Sequence, residues 1–244
     1  MSYDLSLFEK GLDQLKIQLT QEQKEQFIKY YEYLIEKNKV MNLTAITDYD
    51  EVLLKHFLDS LSLVKVQDFI PEKLSGKTVI DIGTGAGFPG IPLKIAFPEL
   101  GIVLLDSLNK RINFLDEVIE MLQLRKIEAV HGRAEDYARQ KEFRENFDFC
   151  VSRAVANLST LSEYCLPFVK QGGYFISYKS GKIEEELSNA ENAVKVLGGN
   201  VKEVVKFSLM DTDMDRSFVV VEKKKTTPKR YPRKAGLPSK EPIV

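Results

Sequence analysis

Val79-Ile80-Asp81-Ile82-Gly83-Thr84-Gly85-Ala86-Gly87-Phe88-Pro89-Gly90 joins a β-branched run to a carboxylate and then to glycines at alternate positions. Val and Ile suit a pleated, buried strand, and glycine lets the following backbone take positive φ and come close to a ligand. The stretch predicts a strand that turns through a glycine loop into a helix. The unpaired N–H groups of that helix would favour a polar, nucleoside-type cofactor.

Two spacings coexist in this run. From Asp81 it reads Asp-x-Gly-x-Gly-x-Gly, which resembles the first motif of S-adenosylmethionine-dependent methyltransferases. From Gly85 it reads Gly-x-Gly-x-x-Gly, the dinucleotide pattern, with Asp106 about 20 residues further on, as that fold wants. The dinucleotide motif places its first glycine where the strand ends, here Gly83, and from Gly83 Phe88 occupies the third glycine's place. Context therefore favours the methyltransferase reading, with the dinucleotide reading and a purely structural glycine turn behind it.

The rest of the chain carries further alternations. Strands are expected near 78–83, 102–106, 127–131, 147–152, 173–178, 201–207 and 217–223, and helices near 88–97, 109–122, 134–140, 157–166 and 182–197. Only Met210 to Arg216 separates the last two strands, too little for a helical crossover, so a hairpin should close an otherwise parallel sheet. The expected fold is α/β: a Rossmann-like class I methyltransferase with a seven-stranded, mostly parallel sheet. Before it, 1–70 is helical in pattern, with Phe27, Tyr30, Tyr31 and Leu34 at helical spacing and Thr47 placed to cap a second helix. Asn42-Leu43-Thr44 lies in a polar connection that could face cofactor or substrate. Pro71 and Gly76 mark the expected boundary, giving an N-terminal helical region (1–70), a cofactor-binding domain (71–223) and a basic tail (224–244). No residues remain for the separate substrate domain of a dinucleotide enzyme.

Among 244 residues the net charge is only −1, yet 222–244 carry eight Lys or Arg against two Glu. An acidic body thus ends in a basic tail, interrupted by prolines and expected to form neither a helix nor a core of its own. Cations with the interleaved Tyr231 suit phosphates and an unstacked base, while a tail that merely aids solubility is the plain alternative. No apolar run nears the roughly 18 residues a membrane span needs, so a soluble, cytoplasmic protein is expected, with no membrane partner. The two cysteines, Cys150 and Cys165, form no Cys-x-x-Cys pair and have no histidine cluster nearby, so neither a disulfide nor a metal site is expected.

In open α/β sheets ligands lie at the carboxyl ends of the strands. There Gly83 and Gly85 open the first loop, and Asp106 ends the second strand, where it could accept ribose hydroxyls or cap the next helix. His131 to Asp136 offers backbone N–H groups to an adenine edge, and Arg153 stands where the methyl would be transferred, unless it pairs with an acidic neighbour. The fourth strand lacks the Asp/Asn-Pro-Pro-Tyr/Phe box of exocyclic-amine methylation, and Cys150 sits mid-strand where it cannot be a nucleophile. A target needing neither base nor nucleophile is left, and guanine N7 is one, its rate coming from alignment. His56 and His131 are read as structural, and no catalytic acid or base is assigned.

Together Asn42-Leu43-Thr44, Lys55-His56-Phe57-Leu58-Asp59-Ser60-Leu61, Asp81–Gly90, Ser107-Leu108-Asn109-Lys110-Arg111, Arg133-Ala134-Glu135, Ser152-Arg153-Ala154-Val155-Ala156 and Tyr231-Pro232-Arg233 resemble the bacterial 16S ribosomal RNA guanine-N7 methyltransferases, the RsmG or GidB family. The resemblance covers almost the whole chain. It implies that Gly83, Phe88, Ala134, Glu135 and Arg153 contact S-adenosylmethionine, and that the substrate is a guanine in the 530 loop of 16S rRNA or of the 30S subunit. Lys179, Lys229, Arg230 and Arg233 are the candidate RNA-binding cations, and the chain is read as a monomer. A small-molecule methyltransferase, a nicotinamide enzyme and a non-catalytic RNA-binding factor are the rival classes.

Overall fold

The computed structural model describes residues 3–70 and 74–244, so the boundary expected at Pro71 lies outside the described residues. Seven strands form one sheet in the order β3-β2-β1-β4-β5-β7-β6: β1 (Thr78–Ile82), β2 (Gly101–Asp106), β3 (Ile127–His131), β4 (Phe147–Arg153), β5 (Val169–Ser180), β6 (Gly199–Ser208) and β7 (Asp215–Lys223). The pairs β1·β2, β1·β4, β2·β3 and β4·β5 are parallel, while β7 runs antiparallel to both β5 and β6. The seven strands and the closing hairpin are those the alternation predicts.

The central strands β1, β2, β4, β5 and β7 are largely buried, with side chains packed on both faces of the sheet, whereas the edge strands β3 and β6 are mostly half-exposed and carry charged residues. Val79, Leu104, Val151, Ile176 and Val220 point into one core; their neighbours Ile80, Leu105, Cys150, Phe175 and Val221 point into the other. The N-terminal helices α1 (Ser6–Gln14) and α2 (Gln21–Met41) cover the first face with α5 (Gly90–Ala96) and α6 (Asn109–Met121). Phe8, Phe27 and Phe57 are fully buried there, with the Phe8–Phe27 and Phe27–Phe57 ring centroids 4.9 and 5.0 Å apart. A reciprocal Thr20–Gln23 capping box starts α2, and Gln23 Nε2 also donates to the Ile95 carbonyl at 2.7 Å, tying α2 to α5.

From Tyr49 to Asp68 the chain stays helical but changes pitch: α3 (Tyr49–Val52), a π-helical turn (Leu53–Leu58), α4 (Asp59–Leu61) and a 3-10 stretch (Ser62–Asp68). Its N-cap is Asp48, whose carboxylate accepts from the Glu51 amide at 3.0 Å, rather than the expected Thr47. The other face is covered by α7 (Ala134–Tyr137), α8 (Leu158–Cys165) and α9 (Glu184–Val196). The helix expected over 134–140 stops at Tyr137.

The basic tail departs most from expectation. It ends in a short helix, α10 (Leu237–Lys240), and it docks on the body. Lys223 is fully buried, with Nζ donating to the carbonyls of Leu166 (2.6 Å) and Val169 (3.1 Å) and to Thr227 Oγ1 (2.8 Å), and lying 3.0 Å from Glu145. Arg144 donates to the carbonyls of Thr227 (2.8 Å) and Tyr231 (3.0 Å). Prolines prevent a long helix, but they leave an extended chain free to satisfy its carbonyls on arginines of the body.

Candidate active site at the carboxyl ends of the strands

A cavity of about 510 Å³ opens where β1, β2, β3 and β4 end, within the size range of small-molecule sites. Its walls hold every residue expected to meet the cofactor: Gly83, Gly85, Phe88, Asp106, Ala134, Glu135 and Arg153. They come from four separate strand ends, so only the sheet order brings them together.

Gly85 is the glycine the cavity requires. Its φ is +63° and a Cβ there would meet nothing within 4 Å, so its bare backbone borders open space. Gly90 is instead a packing glycine, because a Cβ would lie 2.2 Å from Leu104 Cδ2. The Gly85 amide donates to Asp106 Oδ2 at 3.0 Å. That carboxylate also accepts from Leu108 N (2.9 Å) and Arg111 (3.1 Å), so it both shapes the loop and faces the cavity.

Asp81 separates the two cofactor readings. Its Oδ2 accepts from Thr84 Oγ1 (2.7 Å) and from the amide of Gly90 (2.9 Å), the first residue of α5, while its buried Oδ1 has no hydrogen-bond partner among the described residues. Burial raises its pKa to about 6. A dinucleotide's pyrophosphate would need that helix terminus and would meet an acidic side chain already seated on the Gly90 amide. A cofactor without phosphate meets no such conflict, so the glycine cradle, the Asp106 carboxylate and the cavity size fit S-adenosylmethionine.

The opposite wall comes from the N-terminal region. Leu43, Thr44 and His56 line the cavity. The His56 ring stacks on Phe88 with centroids 4.4 Å apart and planes 16° apart, and Tyr30 donates its hydroxyl proton to the Ala86 carbonyl, bracing the glycine loop from beneath. Arg153 donates to Asp59 Oδ2 (2.8 Å) and to the Lys55 carbonyl (3.2 Å) in the π-helical turn, and its other terminal nitrogen faces His56 Nδ1 at 3.4 Å. Asp59 also accepts from Arg216 at 2.9 Å. Arg153 thus pairs with an acidic neighbour and lines the cavity at once. Burial, then the Arg153 charge, lowers the His56 pKa to about 3, so the ring is neutral near neutral pH. His131, by contrast, lies outside the cavity lining, its Nε2 3.2 Å from the Ser107 carbonyl.

The four expected RNA-binding cations divide. Lys229 and Arg230 are exposed. Arg233 instead forks onto Glu163, whose side chain is 1% exposed, through Nε (3.0 Å) and Nη2 (2.7 Å), and its backbone amide donates to the same carboxylate at 2.6 Å. Lys179 donates to the Ala156 carbonyl (2.8 Å) and to Glu186 (2.5 Å), so neither stands as a free cation on a rim. Sequence reading also passes over Arg111 and Tyr164 as cavity residues and keeps His56 out of the site. His56 and Arg153 lie 97 positions apart, and no local pattern in the chain announces their meeting.

Comparison with known proteins now bears on this geometry. The profile of the family described as GidB: rRNA small subunit methyltransferase G matches residues 23–217. A Ribosomal RNA small subunit methyltransferase G of Lachnoclostridium phytofermentans is 58% identical over 99% of this chain and 98% of its own. Among solved structures, TYW2 of M. jannaschii in complex with AdoMet is 15% identical with a TM-score of 0.51, covering 68% of this chain and 76% of that one. The cyclase SpnF is 12% identical with a TM-score of 0.53, covering 68% and 81%. At such identity the two structures establish the shared fold alone, and since one is named a cyclase the fold does not dictate the reaction. The full-length likeness in sequence is more specific, and by it the chain belongs to the GidB family of rRNA small subunit methyltransferases G.

Proposed function

We propose that this chain methylates N7 of a guanine in the 530 loop of 16S rRNA. Its family makes it an S-adenosylmethionine-dependent rRNA methyltransferase. Gly83, Gly85, Phe88, Asp106, Ala134, Glu135 and Arg153 are the residues that would hold the cofactor. Bound there, it supplies a methyl group made electrophilic by a sulfonium.

The observation that carries the choice of atom is the setting of His56, the one imidazole in the cavity wall among the described residues. Burial and the Arg153 charge lower its pKa, and the Arg153 guanidinium faces its Nδ1 at 3.4 Å, so it is poorly suited to remove a proton. Cys150 and Cys165 are buried free thiols that cannot reach a base as nucleophiles. Guanine N7 has a lone pair and no proton to lose, so it asks for placement rather than base catalysis, and placement alone can be worth roughly 7–11 kcal/mol. The Phe88–His56 pair offers an apolar edge and Arg153 a fixed cation beside it.

The substrate address rests on the family resemblance together with the physics of RNA. Guanine N7 faces the deep, narrow groove of A-form RNA, so a reactive guanine must lie in a loop or be turned outward. Exposed Lys229 and Arg230 are suited to its phosphates, as befits a protein acting in the cytoplasm on 16S rRNA or a 30S particle. The test is transfer from labelled S-adenosylmethionine to 30S subunits from a strain lacking this gene, followed by borohydride and aniline cleavage at N7-methylguanosine. One cleavage in the 530 loop supports the proposal. Label without cleavage overturns the N7 assignment, and no label on rRNA or particle overturns the proposal as a whole.

A further inference from the structure

Thr44 carries the one hydroxyl of the N-terminal wall among the described residues, and its hydrogen bonds bear on where its proton points. Its backbone is pinned by Asn38, which accepts from the Thr44 amide at 2.9 Å and donates to the Thr44 carbonyl at 2.9 Å. Its Oγ1 accepts from the Ile46 amide at 3.0 Å and lies 2.8 Å from His56 Nε2. Which partner donates in that second contact follows from the far side of the ring. Arg153 has only donors, so a ring that accepts from it at Nδ1, 3.4 Å away, carries its single proton on Nε2. In that tautomer His56 donates to Thr44, both lone pairs of Oγ1 are taken by N–H groups, and no further hydrogen bond of the hydroxyl is recorded among the described residues, where Thr44 lines the cavity.

We propose that Thr44 reads the O6 atom of the target guanine, with His56 and Arg153 as positioning residues that hold its hydroxyl in the donor sense. The proposal rests on the reading of the substrate as a guanine methylated at N7. O6 and N7 are adjacent acceptors on one edge of guanine, whereas adenine presents an N6 donor beside its N7. A hydroxyl with both lone pairs occupied can donate to O6 but cannot accept from N6, so the wall favours guanine and leaves adenine a facing pair of donors. The bond should serve binding more than the chemical step. As N7 gains positive charge, O6 becomes a poorer acceptor, so the interaction is at its strongest before reaction.

The test pairs Thr44→Val and Thr44→Ser with two substrates: 30S particles carrying guanine at the target, and particles carrying 2-aminopurine, which keeps N7 and lacks O6. On guanine, Thr44→Val should raise KM for the particle about tenfold with kcat within about twofold, and Thr44→Ser should recover most of the loss. On 2-aminopurine, the wild type and Thr44→Val should have the same KM. A KM loss of equal size on both substrates, or a serine variant no better than valine, overturns the proposal by reducing Thr44 to a support of the wall. Borohydride and aniline cleavage of the wild-type product tests the N7 reading separately, since its outcome does not depend on any Thr44 variant.

Discussion

The N-terminal wall lines the cavity while the C-terminal tail touches that lining only from behind, and both come from outside the parallel core of the sheet. The wall places polar atoms on the cavity surface: Thr44, His56, and the loop over which Phe88 and His56 stack. The tail works from behind. Its Gly236 amide donates to Glu135 Oε1 at 2.8 Å, and Arg233 neutralises Glu163, the neighbour of the cavity residue Tyr164. Glu135 lines the cavity, and under the proposed function it would hold the cofactor, so the tail would brace that carboxylate while the wall would face the substrate. Two segments, the tail strongly basic, would thereby take separate tasks from the side of the cavity they approach.

The sharpest way to break this contrast is to cut the tail's anchor. Arg233→Met leaves the Glu163 carboxylate, 1% exposed, with the residue-233 amide as its one remaining partner among the described residues, and should destabilise the fold by about 3–5 kcal/mol, read by urea denaturation. A change within about 1 kcal/mol would mean the tail is only loosely laid on the body. On the wall, Arg153→Met should cost less, about 2–3 kcal/mol, because Arg216 remains on Asp59. It should also depress methyl transfer more than Arg233→Met does once both are assayed fully folded, and the reverse order would merge the two tasks.

Acid sharpens the comparison through His56. The unfolded chain takes up a proton at this ring near pH 6.5 while the folded ring, at about 3, does not, so His56 withdraws stability as pH falls through that window. Asp81 acts in the opposite sense: its folded pKa of about 6 exceeds the ordinary 3.8, so folding is favoured by its protonation between those values. The wild type should therefore lose about 1 kcal/mol relative to His56→Asn between about pH 6 and pH 5. A stability difference that does not change with pH would mean His56 protonates in the fold, which removes the assignment of its proton to Nε2 alone.

The smallest effect belongs to the exposed part of the tail. Reversing Lys229 and Arg230 should raise KM for rRNA and flatten its salt dependence by up to about 0.7–0.9 in the log–log slope for each phosphate they no longer neutralise. Stability should be unchanged because both are solvent-exposed. An unaltered slope would take the tail out of RNA binding and leave it the bracing role alone.

How much of this was legible in the chain follows from the range of the interactions. The strands and the glycine loop could be read because their signals are local: alternation, Asp81, and glycines at fixed spacing. Asp106 and Arg153 could be placed because strand ends are where open sheets bind ligands. The wall was half-legible, since Asn42-Leu43-Thr44 stood out as a polar connection, but the turn that lets Arg153 reach the Lys55 carbonyl is π-helical and has no pattern of its own. The tail misled because its partners Glu135, Glu145 and Glu163 lie some 70 to 100 positions away. A basic composition announces charge without saying whether a carboxylate within the protein already meets it.

Calorimetric titration of S-adenosylmethionine into the wild type, Arg233→Lys and Thr44→Val tests the division of labour most directly. Arg233→Lys keeps the charge and the fold but loses the fork on Glu163, so its Kd for the cofactor should weaken about fivefold, while Thr44→Val should bind the cofactor as the wild type does. Equal cofactor affinity in Arg233→Lys, or a weakened one in Thr44→Val, would contradict an account in which the tail supports the cofactor and the wall meets the RNA.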